Sequence, residues 1–406
     1  MELIARNNYL DWLISFKDQQ IIKVISGVRR CGKSTLFALY RTYLLKQGVG
    51  PDQILMLNFE DLTYDNLRDY RSLYNYLLTK LQPDKMNYIF LDEIQQVREF
   101  EKAVDSLFIK KNCDVYITGS NSYFMSGELA TLLSGRYLEL RMLPLSFREF
   151  AAAYNVAGRE LSLRDKFNLY LRIGGFPFLS RYHYGIQETQ EYLRDVFNTV
   201  LLKDVVARLK VADVDTLEKV TKFMLHNVGS RVSMTKIANT LKTAGKSTDV
   251  KTIEKYLRGL SESMLLYKTD RFDVKGRQLL ATQQKYYAVD PGFRNLLVPV
   301  KESDAGHVLE NIVYLELLRR GCQVYTGVLT GGREIDFVAQ KDGALAYYQV
   351  ALSTLDPAVL ERELAPYQKV KDNYPKYLLT LDDIFKEADY DGVQKVNLLD
   401  WLMAEP

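Results

Sequence analysis

Apolar residues in the first third of the chain occur in short runs separated by stretches with helical spacing. Residues 21–26 form a run typical of a buried strand, and apolar side chains then recur at helical spacing over residues 36–43. Further strands are predicted at residues 54–59, 88–91, 115–118 and 137–141, and helices at residues 67–81 and 123–133. Five strands that alternate with helices predict an α/β fold built on a doubly wound parallel sheet.

The segment between the first strand and the first long helix carries a phosphate-binding motif. Residues 27–34, G-V-R-R-C-G-K-S, fit G-x-x-x-x-G-K-[ST] without a mismatch. Gly27 and Gly32 allow a tight turn that brings backbone N–H groups up to phosphate oxygens. Lys33 is predicted to neutralise the β- and γ-phosphates and Ser34 to ligate Mg²⁺. The predicted nucleotide-binding residues are Gly27, Arg29, Arg30, Cys31, Gly32, Lys33, Ser34 and Thr35.

Two acids follow the third predicted strand. The run Y-I-F-L at residues 88–91 leads directly into Asp92 and Glu93, which is the form of a Walker B strand. Asp92 is predicted to hold the Mg²⁺ water shell and Glu93 to polarise the attacking water. The alternative is a buried strand that simply meets solvent at an acidic turn. Because the chain contains no guanine-reading N-K-x-D motif, ATP is the predicted nucleotide.

Polar residues at the ends of the last two predicted strands are further candidates for catalysis. Asn121 and Ser120 follow the fourth strand, where a side chain would contact the γ-phosphate or its water, and a plain turn is the alternative for each. Arg136 precedes the fifth strand and is predicted to meet phosphate in its own subunit or a neighbouring one. A solvated surface arginine is the alternative reading. The predicted catalytic residues are therefore Lys33, Glu93, Asn121 and Arg136.

Three residues in the variable positions of the phosphate loop have open roles. Arg29 and Arg30 are long cations that would reach a lid, a neighbouring subunit or the phosphates. Cys31 is predicted to be a packing residue first. The second interpretation is a redox-sensitive thiol whose pKa is lowered by nearby cations and the helix N-terminus.

Composition and charge place the chain among ordinary globular proteins. Of its 406 residues 47% are hydrophobic and 26% charged, and the net charge of +3 does not by itself indicate a nucleic-acid partner. The three cysteines are scattered, and no C-x-x-C pair or histidine cluster offers a zinc site. The first 18 residues predict an amphipathic helix, neither a signal peptide nor a membrane span. We therefore expect a cytoplasmic protein with no membrane partner.

The motifs of residues 27–177, taken in order, resemble those of a known family. They are G-V-R-R-C-G-K-S-T, Y-I-F-L-D-E-I-Q, T-G-S-N-S, L-S-G-R-Y, P-L-S-F-R-E-F and I-G-G-F-P. As a set they resemble the uncharacterised archaeal and bacterial AAA-type P-loop ATPases with a C-terminal domain of unknown function. The resemblance implies an AAA-like core, a helical segment, a winged helix and a degenerate restriction-endonuclease-like end domain.

The pattern after residue 213 is that of a winged helix. Helices are predicted at residues 216–225, 233–238 and 250–260, followed by strands at residues 264–272 and 285–289 around a basic turn with the sequence K-G-R. The second helix of such a fold commonly enters the major groove of DNA and the wing contacts phosphates. The connection between residues 241 and 250 is longer than the usual turn, and the recognition face also carries Glu254 and Glu262. DNA binding and protein docking both remain open.

The last hundred residues predict the order α-β-β-β-α-β, the core of restriction-type nucleases. The resemblance puts acids at Glu310 and Asp336, whereas Gln349 and Ala351 stand where an active site needs E-x-K. Glutamine coordinates a metal weakly, and alanine supplies no ammonium group to help activate water. We therefore expect structural remnants and a nucleic-acid or protein-binding platform. A metal-dependent nuclease is the least favoured alternative.

The sequence thus predicts four regions: a P-loop ATPase core with an N-terminal helix (1–143), a helical lid or connector (144–212), a winged-helix-like domain (213–300) and a restriction-endonuclease-like domain (301–406). The predicted function is Mg²⁺-dependent ATP hydrolysis that drives conformational change on DNA, another nucleic acid or a protein partner. The alternative is a slow ATP-dependent switch or scaffold that does not bind DNA. A ring-shaped oligomer and a monomer are both compatible with the sequence.

Overall fold

In the computed structural model the chain divides into two units, the first comprising residues 1–144 and 262–264 and the second residues 145–261 and 265–406. The structure describes residues 3–119, 133, 135–154, 161–181, 185–243, 245–246, 248–298 and 304–405. Among these residues no helix is both long and apolar enough to cross a membrane.

The first unit alternates strands with helices, as the hydrophobic pattern predicted. Its elements are α1 (Asn7–Ser15), β1 (Ile22–Ser26), α2 (Lys33–Lys46), β2 (Ile54–Asn58), α3 (Tyr70–Leu78), β3 (Asn87–Asp92), α4 (Phe100–Phe108), β4 (Cys113–Gly119) and β5 (Tyr137–Arg141). Short 3₁₀ turns lie at Pro51–Gln53, Leu62–Leu67 and Ile94–Gln96.

The five strands form one parallel sheet in the order β2-β3-β4-β1-β5, which confirms the predicted fold class. Every residue of the inner strands β1, β3 and β4 is buried, whereas the edge strands β2 and β5 are partly exposed. Apolar runs without alternation are typical of parallel strands that are covered on both faces.

The register brings the ends of three strands together. Ser26, the last residue of β1, lies beside Gly119 of β4, and Leu91 of β3 lies beside Ile117 of β4. Because all three strands run in the same direction, the chain leaves each of them at the same edge of the sheet. The phosphate loop after β1 and the acids at the end of β3 therefore meet there.

Aromatic side chains form much of the core between α2 and the sheet. Tyr40 of α2 contacts Phe90 of β3 and Tyr116 of β4, and the two tyrosine hydroxyl groups lie 3.0 Å apart. Side chains of this size contribute about 1.5–3 kcal/mol each on burial. This packing holds α2, and with it the phosphate loop at its start, against the sheet.

The second unit begins with helices and continues into a large mixed sheet. Its helices are α5 (Phe147–Ala153), α6 (Leu163–Ile173), α7 (Pro177–Arg181), α8 (Ile186–Thr199), α9 (Ala207–Leu209), α10 (Val214–His226), α11 (Met234–Thr243), α12 (Val250–Glu262), α13 (Pro291–Leu297), α14 (Ala305–Arg319), α15 (Pro357–Leu364) and α16 (Leu398–Met403). A π-helical segment, Val200–Val206, joins α8 to α9. Its strands are β6 (Leu266–Asp273), β7 (Gln278–Ala288), β8 (Gln323–Val328), β9 (Glu334–Lys341), β10 (Ala344–Ala351), β11 (Lys376–Thr380), β12 (Ala388–Tyr390) and β13 (Val393–Asn397).

The hairpin predicted as a wing is part of this large sheet. The strand order is β12-β13-β11-β10-β9-β8-β6-β7, and residues 271–273 of β6 pair with residues 326–328 of β8. The second hairpin strand begins at Gln278, seven residues earlier than the sequence predicted. The hairpin thus shares a sheet with strands beyond residue 300, while the fourfold division of the chain stays a prediction.

Candidate functional site

The two glycines of the phosphate loop meet different steric demands. A Cβ atom on Gly27 would lie 2.4 Å from the carbonyl oxygen of Met142 and 2.8 Å from Sγ of Cys31. Gly32 has φ of 109° and immediately precedes the first residue of α2. Only glycine adopts this backbone angle without strain, so the loop turns into the helix with its N–H groups exposed to an anion.

Lys33 lies across the loop and is only 4% exposed. Its ammonium nitrogen Nζ is 3.0 Å from the carbonyl oxygen of Gly27 and 3.4 Å from that of Val28. The same nitrogen lies 3.5 Å from Oε1 of Glu93. The structure therefore brings together the predicted phosphate-binding lysine and the predicted base.

Asp92 is held at the end of β3 by two hydroxyl groups. Ser34 and Thr118 both hydrogen-bond to its carboxylate, and burial raises its pKa. The Ser34 hydroxyl and the Asp92 carboxylate are hard oxygen ligands of the kind that Mg²⁺ prefers, so the residues present fit that ion.

Thr118 belongs to the site although the sequence analysis missed it. Its hydroxyl donates to Oδ1 of Asp92 and accepts a hydrogen bond of 2.9 Å from the backbone N–H of Glu93. The signal for it in the sequence is a polar residue at the end of a buried strand.

Glu93 has an uncommon backbone conformation. Its φ and ψ are 52° and 45°, in the left-handed region, and it immediately precedes the 3₁₀ turn Ile94–Gln96. Such a conformation costs a non-glycine residue on the order of 1–3 kcal/mol and is concentrated at functional sites. The turn also lets Gln95 donate a hydrogen bond of 2.6 Å from Nε2 to Oε2 of Glu93.

A buried arginine supports the loop from the N-terminal segment. Arg6 donates to the carbonyl oxygens of Cys31 at 3.1 Å and Leu143 at 2.8 Å, and its guanidinium group lies over the ring of Tyr9. No motif marks this residue in the sequence. Its role depends on the approach of chain segments more than a hundred residues apart.

The variable loop residues separate into three environments. Arg29 forms an ion pair of 2.9 Å with Glu60, just after β2, whereas Arg30 is exposed. Cys31 is fully buried, and burial raises the pKa of its thiol more than Lys33 and Arg6 lower it. The lowered pKa suggested for Cys31 was wrong, and the packing interpretation has the support of its burial.

The structure does not bring Arg136 to the phosphate loop. Its carbonyl oxygen accepts a hydrogen bond from Ile22 at the first residue of β1, and its guanidinium group pairs with Asp105 at 3.3 Å. It thus lies at the opposite end of the parallel strands from the phosphate loop, about 13 Å along the strand from Ser26. A role toward a neighbouring subunit stays a prediction. Asn121 and Ser120 lie outside the described residues.

The acids of the C-terminal region lie in the second unit. Glu310 is on α14 and Asp336 on β9, and Gln349 of β10 accepts a hydrogen bond from the Asp336 backbone. In the part of the chain that the structure describes, no group of three or more His, Cys, Asp or Glu residues is placed to hold a metal ion.

Comparison with known proteins agrees with this architecture. Residues 19–151 match the family model described as an AAA domain, and residues 164–304 match a domain of unknown function, DUF8612. An uncharacterised protein of Haemophilus influenzae is 40% identical over 402 residues, which cover 99% of each chain. An uncharacterised protein of Methanocaldococcus jannaschii is 30% identical over 396 residues, which cover 93% of this chain and 85% of that protein.

Among solved structures, the Walker-type ATPase of Pyrococcus abyssi covers 72% of this chain and 95% of its own, with a TM-score of 0.51 and 12% identity. The parallel sheet and the phosphate loop define an AAA-type P-loop ATPase fold. The chain belongs to the family of the Haemophilus and Methanocaldococcus proteins, and in this chain an AAA domain precedes a domain of unknown function. The resemblance inferred from the motifs is confirmed.

Proposed function

We propose that this protein hydrolyses ATP with Mg²⁺ at the edge of the first-unit sheet and uses the cycle to change conformation on a partner. The observation that carries the proposal is the convergence of Lys33, Ser34, Asp92 and Glu93, with Nζ of Lys33 3.5 Å from Oε1 of Glu93. A cation, a hydroxyl and two carboxylates at one strand edge are the groups that phosphoryl transfer to water requires.

Lys33 and Ser34 would bind the phosphates and the metal. The carbonyl oxygens of Gly27 and Val28 already hold the Lys33 ammonium group across the loop. The side chain therefore loses little further conformational freedom when a nucleotide binds. Ser34 and Asp92 would hold Mg²⁺, which shields the phosphate charge when it is bound. Thr118 keeps Asp92 oriented toward this position.

Glu93 would accept the proton of the attacking water. In the structure both of its carboxylate oxygens are engaged, one near Lys33 and the other by Gln95. An anionic γ-phosphate competes with Glu93 for the lysine, so nucleotide binding would release Oε1 for the water. Binding and activation of the base are then coupled.

Phosphate release with Mg²⁺-ATP tests the proposal. We expect turnover that is lost in Glu93→Gln, with ATP still bound, and loss of both binding and turnover in Lys33→Ala. Gln96→Ala, an exposed neighbour in the same turn, is the control and keeps wild-type turnover. No hydrolysis by the wild type under any condition, with or without DNA, would refute the proposal.

A slow ATP-dependent switch is the second candidate, and the restraint of both Glu93 oxygens favours it. Here the bound nucleotide, rather than rapid turnover, sets the conformation and the partner. Tight ATP binding with turnover slower than about one per minute and no DNA binding at low salt would support the switch over a DNA-coupled motor.

The proposed DNA contact rests on the order of α10, α11, α12 and the β6–β7 hairpin. Lys251, Lys255 and Arg258 are exposed at helical spacing on α12, beside the exposed Glu254. At the hairpin turn, the guanidinium group of Arg277 lies 5.9 Å from the centre of the Tyr374 ring. Because Arg277 already lies near an aromatic ring, we favour the exposed cations of α12 over the hairpin tip as the phosphate contact.

A further inference from the structure

Two acids from different elements lie close to one lysine inside the second unit, and a third acid lies two residues from one of them on the same strand. Nζ of Lys285, on β7, lies 3.6 Å from Oε2 of Glu310 on α14 and 3.6 Å from Oε2 of Glu334 on β9. Asp336, two residues further along β9, acts on the charge of both Lys285 and Glu310. We call these four residues the Lys285 cluster.

The charges of Lys285 and Glu310 depend on each other because water is largely excluded from both side chains. Lys285 is 5% and Glu310 8% exposed. Burial opposes the charge of Lys285, but Glu310, Asp336 and Glu334 outweigh it and raise the lysine pKa. Burial likewise opposes ionisation of Glu310, but Lys285 and His307 hold its pKa below the usual value.

Asp336 differs from the other acids of the cluster. Burial, reinforced by the negative charge of Glu310, raises its pKa well above the usual value. A single ammonium group cannot compensate three carboxylates, so the surroundings favour the neutral form of Asp336.

Each acid also has a carboxylate oxygen that contacts a group other than Lys285. Oε1 of Glu334 accepts from Arg231 at 2.7 Å, Oδ2 of Asp336 accepts from the backbone of Val350 at 2.9 Å, and Oε1 of Glu310 lies 3.3 Å from Nδ1 of His307. Metal ions such as Mg²⁺ require several oxygens converging at about 2.0–2.1 Å. The carboxylates of Glu310 and Glu334 instead face an ammonium group.

The lysine comes from a strand that the nuclease pattern does not use. That pattern expects it at residue 351 of β10, where this chain has alanine. Two residues before this alanine, Gln349 donates a hydrogen bond of 2.8 Å from its amide nitrogen to Oε2 of Glu363. We propose that Glu310, Glu334 and Asp336 form a cation site whose occupant is the protein's own Lys285 ammonium group, in place of a divalent metal.

The assignment is independent of ATP hydrolysis and has a consequence for the second unit. Lys285 lies on the hairpin, while its partners lie on α14 and β9, so the ion pairs join the hairpin to the nuclease-like part of the sheet. A divalent ion is excluded from the position that a nuclease would need for cleavage. The proposal therefore predicts that this region does not catalyse metal-dependent cleavage.

Titration with Mn²⁺ tests the occupant directly. Free Mn²⁺ is measured by its electron paramagnetic resonance signal in the nucleotide-free full-length wild type and in Asp336→Asn. We expect identical binding curves, because any ion at the phosphate loop is common to both proteins. A Mn²⁺ ion that the wild type binds and Asp336→Asn loses would overturn the proposal.

Thermal unfolding tests the ion pair itself. We expect Lys285→Met to lower the Tm by roughly 5–15 °C, because it leaves buried carboxylates uncompensated, and Lys285→Arg to lower it much less. The matched control is Lys395→Met, which removes a buried lysine 2.8 Å from a different acid, Asp382.

Adding Glu310→Gln distinguishes a specific pair from general damage. It should lower the Tm of the wild type and of Lys395→Met by similar amounts, but raise the Tm of Lys285→Met. An equal decrease in all three backgrounds means that Lys285 does not compensate Glu310, and the proposal fails. Should Lys285→Met not fold, the Mn²⁺ titration decides, since it does not use this variant.

Discussion

The side-chain amide of Gln95 donates a hydrogen bond of 2.6 Å to Oε2 of Glu93, on the side of the carboxylate away from Lys33. The base proposed for hydrolysis is thus restrained by a residue two positions further along the same turn. A restraint on a charged group is worth about 1.5–3 kcal/mol, enough to change a rate.

Removal of this restraint should increase basal turnover. We expect Gln95→Ala to raise the kcat of ATP hydrolysis by about tenfold, because without the hydrogen bond to Oε2 the Glu93 carboxylate is a stronger base and moves more freely toward the water. Phosphate release at saturating Mg²⁺-ATP measures the effect, with Gln96→Ala as the control. A lower kcat in Gln95→Ala would show that Gln95 positions the water instead.

Thr118 should be needed to orient both acids. Thr118→Val removes the hydroxyl that donates to Asp92 and leaves the backbone N–H of Glu93 without this acceptor. We expect kcat to fall by about 10–100-fold with ATP affinity little changed. Thr118→Ser should retain most activity, and Thr42→Val, at an exposed position of α2, all of it. Equal losses in the serine and valine variants would contradict the role of the hydroxyl.

Asp290 should make stability depend on pH in the second unit. Its oxygens accept from the backbone N–H groups of Gly175 at 2.7 Å and Gly292 at 2.8 Å, and burial raises its pKa to about 7. The unfolded chain ionises this acid near pH 4, whereas the folded protein does so near pH 7. Between these values the folded state binds more protons, so its contribution to stability falls as pH rises and is constant above pH 7.

The comparison with Asp290→Asn isolates this effect. The Tm of the wild type minus that of the variant should decrease from pH 5 to pH 7 and then level off. The control is Asp356→Asn, an exposed helix N-cap that is also followed by proline and also accepts at 2.8 Å, from Ala358. A difference that increases with pH would mean that the two backbone N–H donors outweigh burial.

The α12 face should account for any binding to DNA. We expect the double variant Lys251→Ala/Lys255→Ala to weaken binding to duplex DNA and to reduce the slope of log K against log salt by about 2. Fluorescence anisotropy over a salt series measures both quantities. Lys219→Ala, a partly exposed lysine on α10 paired with Asp215, is the control. An unchanged slope in the double variant would exclude this face as the DNA contact.

Much of the first unit followed from local patterns. The run Ile22–Ser26, the glycine spacing of the loop and the apolar run before Asp92 each carry their structural signal within a few residues. A buried parallel strand must be apolar on both faces, and a phosphate loop must contain glycines where its backbone turns or packs closely. Sequence alone therefore determined the fold class and the identity of Lys33, Ser34, Asp92 and Glu93 as candidates.

Other features depended on which distant segments meet. Arg6 supports the loop only because residues 31 and 143 approach it, and Arg136 is far from the loop only because β5 runs parallel to β1. Lys285 compensates the charge of Glu310 although 25 positions separate the two residues and no sequence motif pairs them. Charge compensation and hydrogen bonding act through space over a few ångströms. The tertiary structure alone decided these partners, because sequence spacing carries no record of such distances.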